Sequence, residues 1–274
     1  MFDIAFTHET FNYKNRLFIG STKMQNTKSF KSFSKSPYYS TKHSTYFDTY
    51  DLLLEKYQGK KITFVEVGIW GGGSLFMWRD FFGPKARIIG IDLNPEAIKW
   101  EKDGFEIFIG NQSDPAFWED FKSKVGPIDV LLDDGGHTYV QQIVTMETMI
   151  DQINDGGMLI VEDTHTSYMQ NFGDKKISFA NYAKFWIDRL NARFSAFINE
   201  GKDTRVHSME VFESIIAFKV NRKASSVLST EQNNGGIFDQ AKHFRYEDAP
   251  FLKKNENLIK KIIQKAFSII SRDQ

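Results

Sequence analysis

The chain has 274 residues, of which 41% are hydrophobic and 15% aromatic, so it can bury a sizeable core as one domain with extensions. It has no cysteine, which excludes a disulfide framework, a thiolate zinc site and a cysteine nucleophile. The net charge is zero, but residues 62–220 carry 15 basic against 24 acidic residues, and the two ends are basic. Enzymes that act on nucleic acid normally carry a basic stripe on the folded core, so we expect a small or uncharged acceptor and no nucleic-acid partner.

The sequence shows no sign of a membrane segment or a secretion signal. No basic stretch followed by an apolar run opens the chain, and no run approaches the roughly 18 apolar residues of a membrane span. We therefore expect a cytoplasmic protein without a membrane span.

Residues 1–45 are predicted to form a polar N-terminal arm or lid. Residues 21–44 are polar and irregular, with Ser, Thr and Lys interleaved with aromatic side chains, and a helix is predicted over 46–57. Two interpretations are open for this segment. It is a flexible arm, or it is an aromatic lid over a pocket.

Residues 46–220 alternate strand and helix signals, which favours a parallel sheet with crossover helices. The predicted strands lie at 62–67, 86–91, 105–109, 128–132, 158–161, 205–212 and 214–220. The predicted helices lie at 74–82, 96–103, 115–125, 139–153 and 179–190. Because the last two strands read as an antiparallel hairpin, the expected fold class is α/β: a Rossmann-like, doubly wound, mostly parallel seven-stranded sheet with a closing hairpin.

Residues 221–274 are predicted to be a C-terminal extension that ends in an amphipathic helix. The apolar face of this helix consists of Ile259, Ile262, Ile263, Ala266, Phe267 and Ile270. Such a stripe packs on a core or on a second copy of the chain, so a homo-oligomer is an open alternative. Contact with a membrane surface is a less favoured interpretation.

The first predicted strand leads into a glycine-rich turn, which reads E-V-G-I-W-G-G-G-S over residues 66–74. Glycines at this point let the backbone approach a ligand, and the helix that begins near Ser74 offers unpaired N–H groups. The turn lacks the G-x-G-x-x-G spacing of dinucleotide folds. Glu66 would repel a pyrophosphate but could accept a hydrogen bond from an ammonium group, so NAD is the weaker interpretation.

The second and third predicted strands also end in polar residues. Asp92 follows the second strand, where a carboxylate can accept hydrogen bonds from both ribose hydroxyls of a nucleoside, although it could equally be a turn or helix-capping aspartate. Gln112 and Ser113 follow the third strand, where they could contact an adenine edge. Asp114, before Pro115, is better explained as a helix cap.

Two further strands end abruptly in carboxylates. Residues 131–137 read L-L-D-D-G-G-H, and residues 159–163 read L-I-V-E-D. The ends of neighbouring parallel strands lie side by side, so Asp134, His137 and the pair Glu162–Asp163 are expected around one point. This arrangement could hold a hard metal ion beside a base.

Other roles for these residues are open. Glu162 and Asp163 could cap a following helix, and His137 could be a fourth ligand or a core histidine. Asp133 could face the cofactor or brace the loop, so we assign it no catalytic role.

Together these motifs resemble the class I S-adenosylmethionine-dependent methyltransferases. The D-x-x-H of residues 134–137 with the E-D of residues 162–163 is similar to the metal-dependent sugar O-methyltransferases of macrolide biosynthesis and to the related cephalosporin-hydroxylase-like group. The resemblance covers about residues 38–220. Residues 40–46 correspond in degenerate form to a polar segment that these relatives place before the first strand.

The resemblance implies that Asp134, Glu162 and Asp163 hold Mg²⁺ or another divalent cation, with His137 as general base. The chemistry agrees, because carboxylates without a thiolate suit a hard ion that prefers oxygen ligands. An alcohol is a poor nucleophile, so a metal and a nearby base address the same difficulty from two sides. Histidine titrates near neutral pH, which suits the base.

We therefore predict an O-methyltransferase that moves the methyl group of S-adenosylmethionine to a hydroxyl of a sugar or sugar-containing molecule, either a polysaccharide or a glycosylated natural product. The predicted methyltransferase domain spans residues 46–220. The residues expected to bind the cofactor are Glu66, Gly68, Gly72 and Ser74 at its methionine end, Asp92 at the ribose, and Gln112 and Ser113 at the adenine.

Two alternatives come from other functional classes. A metal-dependent oxidoreductase or hydroxylase would use the same site for oxygen chemistry, but the usual Fe(II) triad has two histidines and one carboxylate, and carboxylates predominate here. A non-catalytic cofactor-binding module would organise partners through the basic tail. The sequence does not encode which hydroxyl accepts the methyl group, because that choice depends on the arm and the loop after Asp163.

Overall fold

A seven-stranded sheet is the centre of the computed structural model, which describes residues 22–197, 202–237 and 256–270. The strands are β1 (Thr63–Val67), β2 (Arg87–Asp92), β3 (Glu106–Ile109), β4 (Ile128–Asp133), β5 (Ile153–Val161), β6 (Ser208–Phe212) and β7 (Ile215–Lys219). Their order is β3-β2-β1-β4-β5-β7-β6, with parallel pairing throughout β1–β5 and antiparallel pairing of β7 with both of its neighbours. The predicted fold class, including the closing hairpin, is confirmed.

The described helices cover most of the predicted helical segments. They are α1 (Thr22–Asn26), α2 (Lys28–Lys35), α3 (Tyr46–Leu54), α4 (Gly73–Phe82), α5 (Pro115–Val125), α6 (Tyr139–Met149), α7 (Phe179–Asn191), α8 (Arg222–Ser225) and α9 (Glu256–Ile270). The short helix expected over 96–103 is a 3-10 helix, Pro95–Asp103. Asp114 caps α5 as predicted, because its side chain accepts a hydrogen bond from Ala116 N.

Helices α1 and α2 lie in the segment that was expected to be irregular, and this part of the prediction is wrong. The apolar residues of α2 pack on α3: the rings of Phe30 and Phe33 lie 5.1 and 5.2 Å from that of Phe47. Phe30 and Phe33 are partly buried, and the fully buried positions of α2 are serines. Ser29 Oγ donates to Phe47 O at 2.9 Å, and Ser32 Oγ donates to Asp80 Oδ2 at 2.7 Å. Serine is a weak helix former, so a helix whose buried face contains serines gives little sequence signal.

The core lies on both faces of the sheet. Successive residues of the parallel strands point to opposite sides, as Phe64 and Val65 do, and both are fully buried. Helices α3 and α4 cover one face, and α5, α6 and α7 cover the other. This double cover explains why the parallel strands are continuously apolar in sequence.

The C-terminal extension is described by itself, since residues 230–274 form a separate compact unit from residues 1–229. Helix α9 lies within the predicted amphipathic segment, and Ile259, Ile262 and Ile263 of its apolar face are exposed. The side chains of Ala266, Phe267 and Ile270 lie outside the described part. Among the helices that the structure describes, none has the length and apolar character needed to cross a bilayer.

The strand order places a crevice at the carboxyl ends of β1 and β4. The chain runs from β1 outward to β3 and returns to β4 on the other side of β1, which is the switch point where open α/β sheets bind ligands. The hydrogen bonds between β1, β4 and β5 continue one residue beyond the strands. Asp134 N donates to Val67 O at 3.0 Å, and Glu162 N donates to Asp133 O at 2.9 Å. Both carboxylates that follow the strands are therefore fixed to the sheet edge.

Gly68 offers a test of how tightly this edge is packed. It has φ +83°, and a Cβ built there would overlap the carbonyl group of Asp134. We expect Gly68→Ala to lower the free energy of unfolding by about 3 kcal/mol or more, from backbone strain and steric overlap together. Chemical denaturation would measure the loss. Gly104→Ala is the matched control, because Gly104 has φ +81° in open space, and it should cost only about 1 kcal/mol. Equal losses would contradict the packing argument.

Candidate active site

A pocket of about 580 Å³ opens at the carboxyl ends of β1, β2, β4 and β5. Its volume lies within the range of roughly 300–1,000 Å³ that is usual for small-molecule sites. Its lining comes from segments 41–46, 67–70, 91–94, 110–112, 134–141 and 162–163. The predicted site residues that line it are Gly68, Asp92, Gln112, Asp134, His137, Glu162 and Asp163. The predicted residues Glu66, Gly72, Ser74 and Ser113 are not part of this lining.

Glu66 holds the start of α4. Its fully buried carboxylate accepts hydrogen bonds from Ser74 Oγ at 2.7 Å and from Trp78 Nε1 at 3.0 Å. Burial raises the pKa of Glu66 to about 7, although Lys42 and the two hydrogen bonds act in the opposite direction. The carboxylate therefore ties β1 to α4 from behind the pocket, and Ser74 is one of its partners.

The glycine-rich turn makes room for protein backbone. A Cβ at Gly71 would lie 2.9 Å from Tyr39 O, and one at Gly73 would overlap the carbonyl oxygens of Tyr38 and Tyr39. Gly72 has φ +78° and packs on the Trp100 ring. The sequence analysis expected a ligand at this close approach. In the structure, the N-terminal segment occupies it.

Asp92 both lines the pocket and holds the loop after β1. Its Oδ2 accepts hydrogen bonds from Ile69 N at 3.1 Å and Trp70 N at 2.9 Å, and its Oδ1 accepts one from Asn94 N at 2.9 Å. The side chain is half-buried at the pocket wall. These hydrogen bonds show the turn role that the sequence left open, and the ribose contact stays a prediction.

Gln112 braces the loop that follows β4. Its Oε1 accepts a hydrogen bond from Gly136 N at 3.0 Å, and its Nε2 donates to Asp133 Oδ1 at 2.9 Å and to Thr145 Oγ1 at 3.1 Å. Asp133 is buried, and it too acts as a brace, accepting from Gly135 N at 3.2 Å. Burial raises the pKa of Asp133, and its Oδ2 has no hydrogen-bond partner in the described part of the chain.

Lys42 lies between the carboxylates that follow β4 and β5. Its Nζ is 2.6 Å from Asp134 Oδ2, 2.9 Å from Glu162 Oε2 and 3.9 Å from Glu66 Oε1, and its side chain is only 2% exposed. Burial by itself lowers the pKa of Lys42, but Asp134 and Glu162 raise it well above its usual value. Tyr50 donates a further hydrogen bond to the fully buried Glu162. We call the group of Lys42, Glu66, Asp134 and Glu162 the lysine cluster.

Asp134, His137 and Asp163 form a second group beside the lysine cluster. They offer ligand atoms that all lie within 4.8 Å of one another, and His137 Nε2 is 3.3 Å from Asp163 Oδ2. Both His137 and Asp163 have left-handed backbone, with φ +59° and +54°. Such strain in non-glycine residues is concentrated at functional sites. The three predicted metal ligands are therefore divided, with Asp134 and Asp163 in this group and Glu162 held by Lys42 and Tyr50.

A third group joins His43 and His165 to Asp163, and its ligand atoms also lie within 4.8 Å of one another. His165 Nδ1 is 2.5 Å from Ser214 Oγ and 3.8 Å from Asp163 Oδ1. Tyr46 donates to Asp163 Oδ1 at 2.5 Å. Two imidazoles and a carboxylate therefore lie close together, and His43 and Asp163 of this group line the pocket.

The sequence analysis missed Lys42, Tyr46 and Tyr50 as site residues. A weak signal was present, because the three lie four residues apart, and Tyr46 and Tyr50 share one face of α3. The contacts that give them their roles span 92 to 168 residues, which local pattern does not reveal.

The chain is similar to known proteins in sequence and in structure. Residues 65–164 match a family model described as a methyltransferase domain. An 8-demethyl-8-alpha-L-rhamnosyl tetracenomycin-C 2'-O-methyltransferase from Streptomyces olivaceus is 31% identical over 135 residues, which cover 47% of this chain and 35% of that protein. The demethylmacrocin O-methyltransferase of Streptomyces fradiae is 30% identical over 131 residues, covering 45% of this chain and 33% of that protein. The matched part of the chain thus spans about a third of the length of these relatives.

A solved structure of the MycE methyltransferase from the mycinamycin biosynthetic pathway, in complex with Mg and SAH, is similar in fold. Its TM-score is 0.63 at 21% identity, and the match covers 79% of this chain and 57% of that one. At this identity the likeness concerns the fold.

The raised pKa of Glu66 predicts how stability depends on pH. The folded chain binds the carboxyl proton of Glu66 more tightly than the unfolded chain does. Protonation therefore stabilises the folded chain, and this stabilisation is complete below about pH 4.5 and is lost as the pH rises through about 7. Relative to Glu66→Gln, the unfolding free energy of the wild type should therefore fall by roughly 3 kcal/mol between about pH 4 and about pH 8. Denaturant titrations across this range would measure it.

Glu106→Gln is the matched control for this measurement. Glu106 is paired with Arg87 at the surface, and that interaction lowers the pKa of Glu106. Its contribution is therefore present at neutral pH and is lost as the pH falls, which is the opposite direction. A difference between wild type and Glu66→Gln that does not vary with pH would contradict the buried titration.

Proposed function

We propose that the protein transfers a methyl group from S-adenosylmethionine to a hydroxyl of a sugar-containing acceptor. The match of residues 65–164 to a methyltransferase domain model and the similarity of part of the chain to O-methyltransferases support this proposal. The observation that carries this proposal is the proximity of His137 to Asp134 and Asp163 at the edge of the sheet. The same pocket also has Gly68 and Asp92 in its wall, at the carboxyl ends of β1 and β2. A nucleoside cofactor over these strands would direct its reactive end toward His137.

The cofactor would lie against Gly68 and Asp92, with Asp92 accepting hydrogen bonds from the ribose hydroxyls. Gln112 would border the adenine through its position in the pocket wall. The other predicted cofactor residues would affect cofactor binding from outside the pocket. They are Glu66, Gly72, Ser74 and Ser113. For Glu66 and Ser74, the mutual hydrogen bond that fixes the start of α4 supports this indirect role.

In the proposed reaction, the acceptor hydroxyl attacks the methyl carbon that is bonded to the sulfonium. A C–O bond forms as the C–S bond breaks, S-adenosylhomocysteine leaves, and the hydroxyl proton passes to His137. The receiving atom would be Nε2, because Nδ1 is buried. Once Nε2 is protonated, it would lie 3.3 Å from Asp163 Oδ2. The Asp163 carboxylate would stabilise the imidazolium that forms. In-line positioning of the two reactants would supply much of the rate.

A divalent ion such as Mg²⁺ fits the chemistry of this site. Asp134 and Asp163 offer carboxylate oxygens close together, and oxygen ligands are those that such an ion prefers. Glu162 would join only after giving up its contact with Lys42. A bound ion would stabilise negative charge on the acceptor oxygen as a Lewis acid.

A second cavity supports an acceptor with an apolar part. It has a volume of about 260 Å³ and begins at Thr164 and His165, directly after Asp163. Apolar side chains of α7, β6 and β7 form much of its remaining wall, including Ile187, Met209 and Ile216. A glycosylated small molecule could place its sugar at His137 and its apolar body here, whereas a polysaccharide would leave this surface unused.

One observation favours a second candidate function, a metal-dependent oxidoreductase. The group of His43, Asp163 and His165 has the two-histidine, one-carboxylate composition of Fe(II) oxygenases. Calorimetric titration of the purified chain with S-adenosylmethionine and with NAD would separate the candidates. Binding of the first supports methyl transfer, and its absence would contradict that proposal.

The activity itself can be tested by S-adenosylhomocysteine formation with rhamnosyl and deoxysugar glycosides as acceptors. Chelation by EDTA should reduce the rate at least tenfold, and Mg²⁺ should restore it. His137→Ala should lower kcat by about 10²–10⁴-fold, because it removes the base. His207→Ala is the control, since His207 lies outside the pocket. Undiminished transfer by His137→Ala would remove the base assignment.

The ribose assignment can be tested with Asp92→Asn. Losing a charged acceptor for two hydroxyls should weaken S-adenosylmethionine binding by about 10–100-fold, while the amide oxygen can still hold the loop after β1. Asp114→Asn is the matched control, because Asp114 caps α5 outside the pocket and asparagine caps equally well. Isothermal titration calorimetry would measure both affinities. Equal affinities would contradict a ribose contact at Asp92.

A further inference from the structure

The ammonium group of Lys42 lies where a cation shared by the two strand ends would be expected. Its Nζ contacts Asp134 Oδ2 at 2.6 Å and Glu162 Oε2 at 2.9 Å, and these residues follow β4 and β5 directly. Glu66 is the last but one residue of β1, and its Oε1 lies 3.9 Å from Lys42 Nζ. Charges buried to this extent are stable only when they are paired, and Lys42 is the cation that pairs with this group of carboxylates.

There is no room for a second cation at the same oxygens. Mg²⁺ binds carboxylate oxygens at about 2.0–2.1 Å and prefers octahedral coordination, whereas the ammonium already occupies the space between these two carboxylates. A divalent ion and an ammonium in contact with the same oxygens would also repel each other strongly in a buried site.

Lys42 is carried by a segment that belongs to no helix or strand. Residues 39–43 lie in neither helix nor strand, and α3 begins at Tyr46. On the other side, the backbone of Tyr38 and Tyr39 is seated on the glycine-rich turn, and the Tyr38 ring lies 4.5 Å from that of Trp100. The chain is thus fixed on both sides of Lys42. Short segments of this kind are where hinges occur.

We propose that Lys42 and a divalent cation exclude each other: the ion takes the place of the ammonium between Asp134 and Glu162, and Lys42 leaves the cluster. This inference rests on the metal part of the proposed function. Thr41 and His43 line the pocket on either side of Lys42, so its departure also changes the wall that an acceptor meets. Metal binding and the position of residues 39–43 are therefore linked, and each affects the other equally.

The wild-type chain allows a direct test through the reactivity of its lysines. Brief acetylation with acetic anhydride, read by peptide mass spectrometry, should leave Lys42 at least tenfold less modified than Lys28 and Lys35, which are exposed in surface pairs. Saturating Mn²⁺ should raise the modification of Lys42 at least tenfold and leave that of Lys28 and Lys35 unchanged. Continued protection of Lys42 in the presence of bound Mn²⁺ would overturn the inference.

Variants provide a second, independent measurement. Free Mn²⁺ followed by electron paramagnetic resonance should show at least tenfold tighter binding by Lys42→Met than by the wild type, because the competing ammonium is gone. Lys35→Met should bind as the wild type does, since Lys35 pairs with Asp80 at the surface. Thermal melting would confirm that each variant is folded, and the labelling of the wild type does not depend on that result.

The outcomes separate this inference from the proposed function. Equal or weaker binding by Lys42→Met overturns the exclusion and leaves the metal site standing. Absence of Mn²⁺ binding in both the wild type and Lys42→Met overturns the exclusion together with the metal part of the proposed function.

Discussion

The parallel pairing of β1, β4 and β5 brings several carboxylates together at one edge of the sheet, and the surrounding structure compensates for their charge. Asp133 lies opposite both Val67 and Val161, so the residues that follow β4 and β5 leave the sheet at the same level. Glu162 is fully buried and Asp134 is close to it. Carboxylates in such a place must be paired, hydrogen-bonded or protonated.

The N-terminal segment supplies the compensating groups. Lys42 provides the positive charge, and Tyr46 and Tyr50 donate hydrogen bonds to Asp163 and Glu162. These residues are held in place by the packing of α2 on α3 and by the contact between the backbone of residues 38–39 and the glycine-rich turn. Helix α2, the glycine-rich turn and the strand ends therefore form one connected structure. A change in any of them would alter the electrostatics of the pocket.

The sequence predicted the parts of the fold and site that depend on local pattern. The strands were recognisable because both faces of the sheet are covered, which makes each strand an apolar run, and Asp134, His137, Glu162 and Asp163 were recognisable because they end such runs. Helix α2 was missed, since serines take buried positions that apolar residues would normally fill. The glycines after β1 were correctly expected to allow a close approach, but pattern does not reveal whether a ligand or the chain itself makes that approach.

The pairing of His137 with Asp163 depends on backbone conformations that neither residue favours. A left-handed backbone costs a non-glycine residue about 1–2 kcal/mol, so two such residues facing each other must be held by their surroundings. Thr166 supplies this hold: its Oγ1 lies 3.1 Å from His137 O and 2.9 Å from Asp163 O, and its N donates to Asp163 O at 3.0 Å. Thr166 belongs to a short 3-10 helix, Thr164–Tyr168, and thus joins the loop after β4 to the end of β5. Because both backbones are fixed by the same side chain, the 3.3 Å separation of His137 Nε2 and Asp163 Oδ2 is a property of the fold.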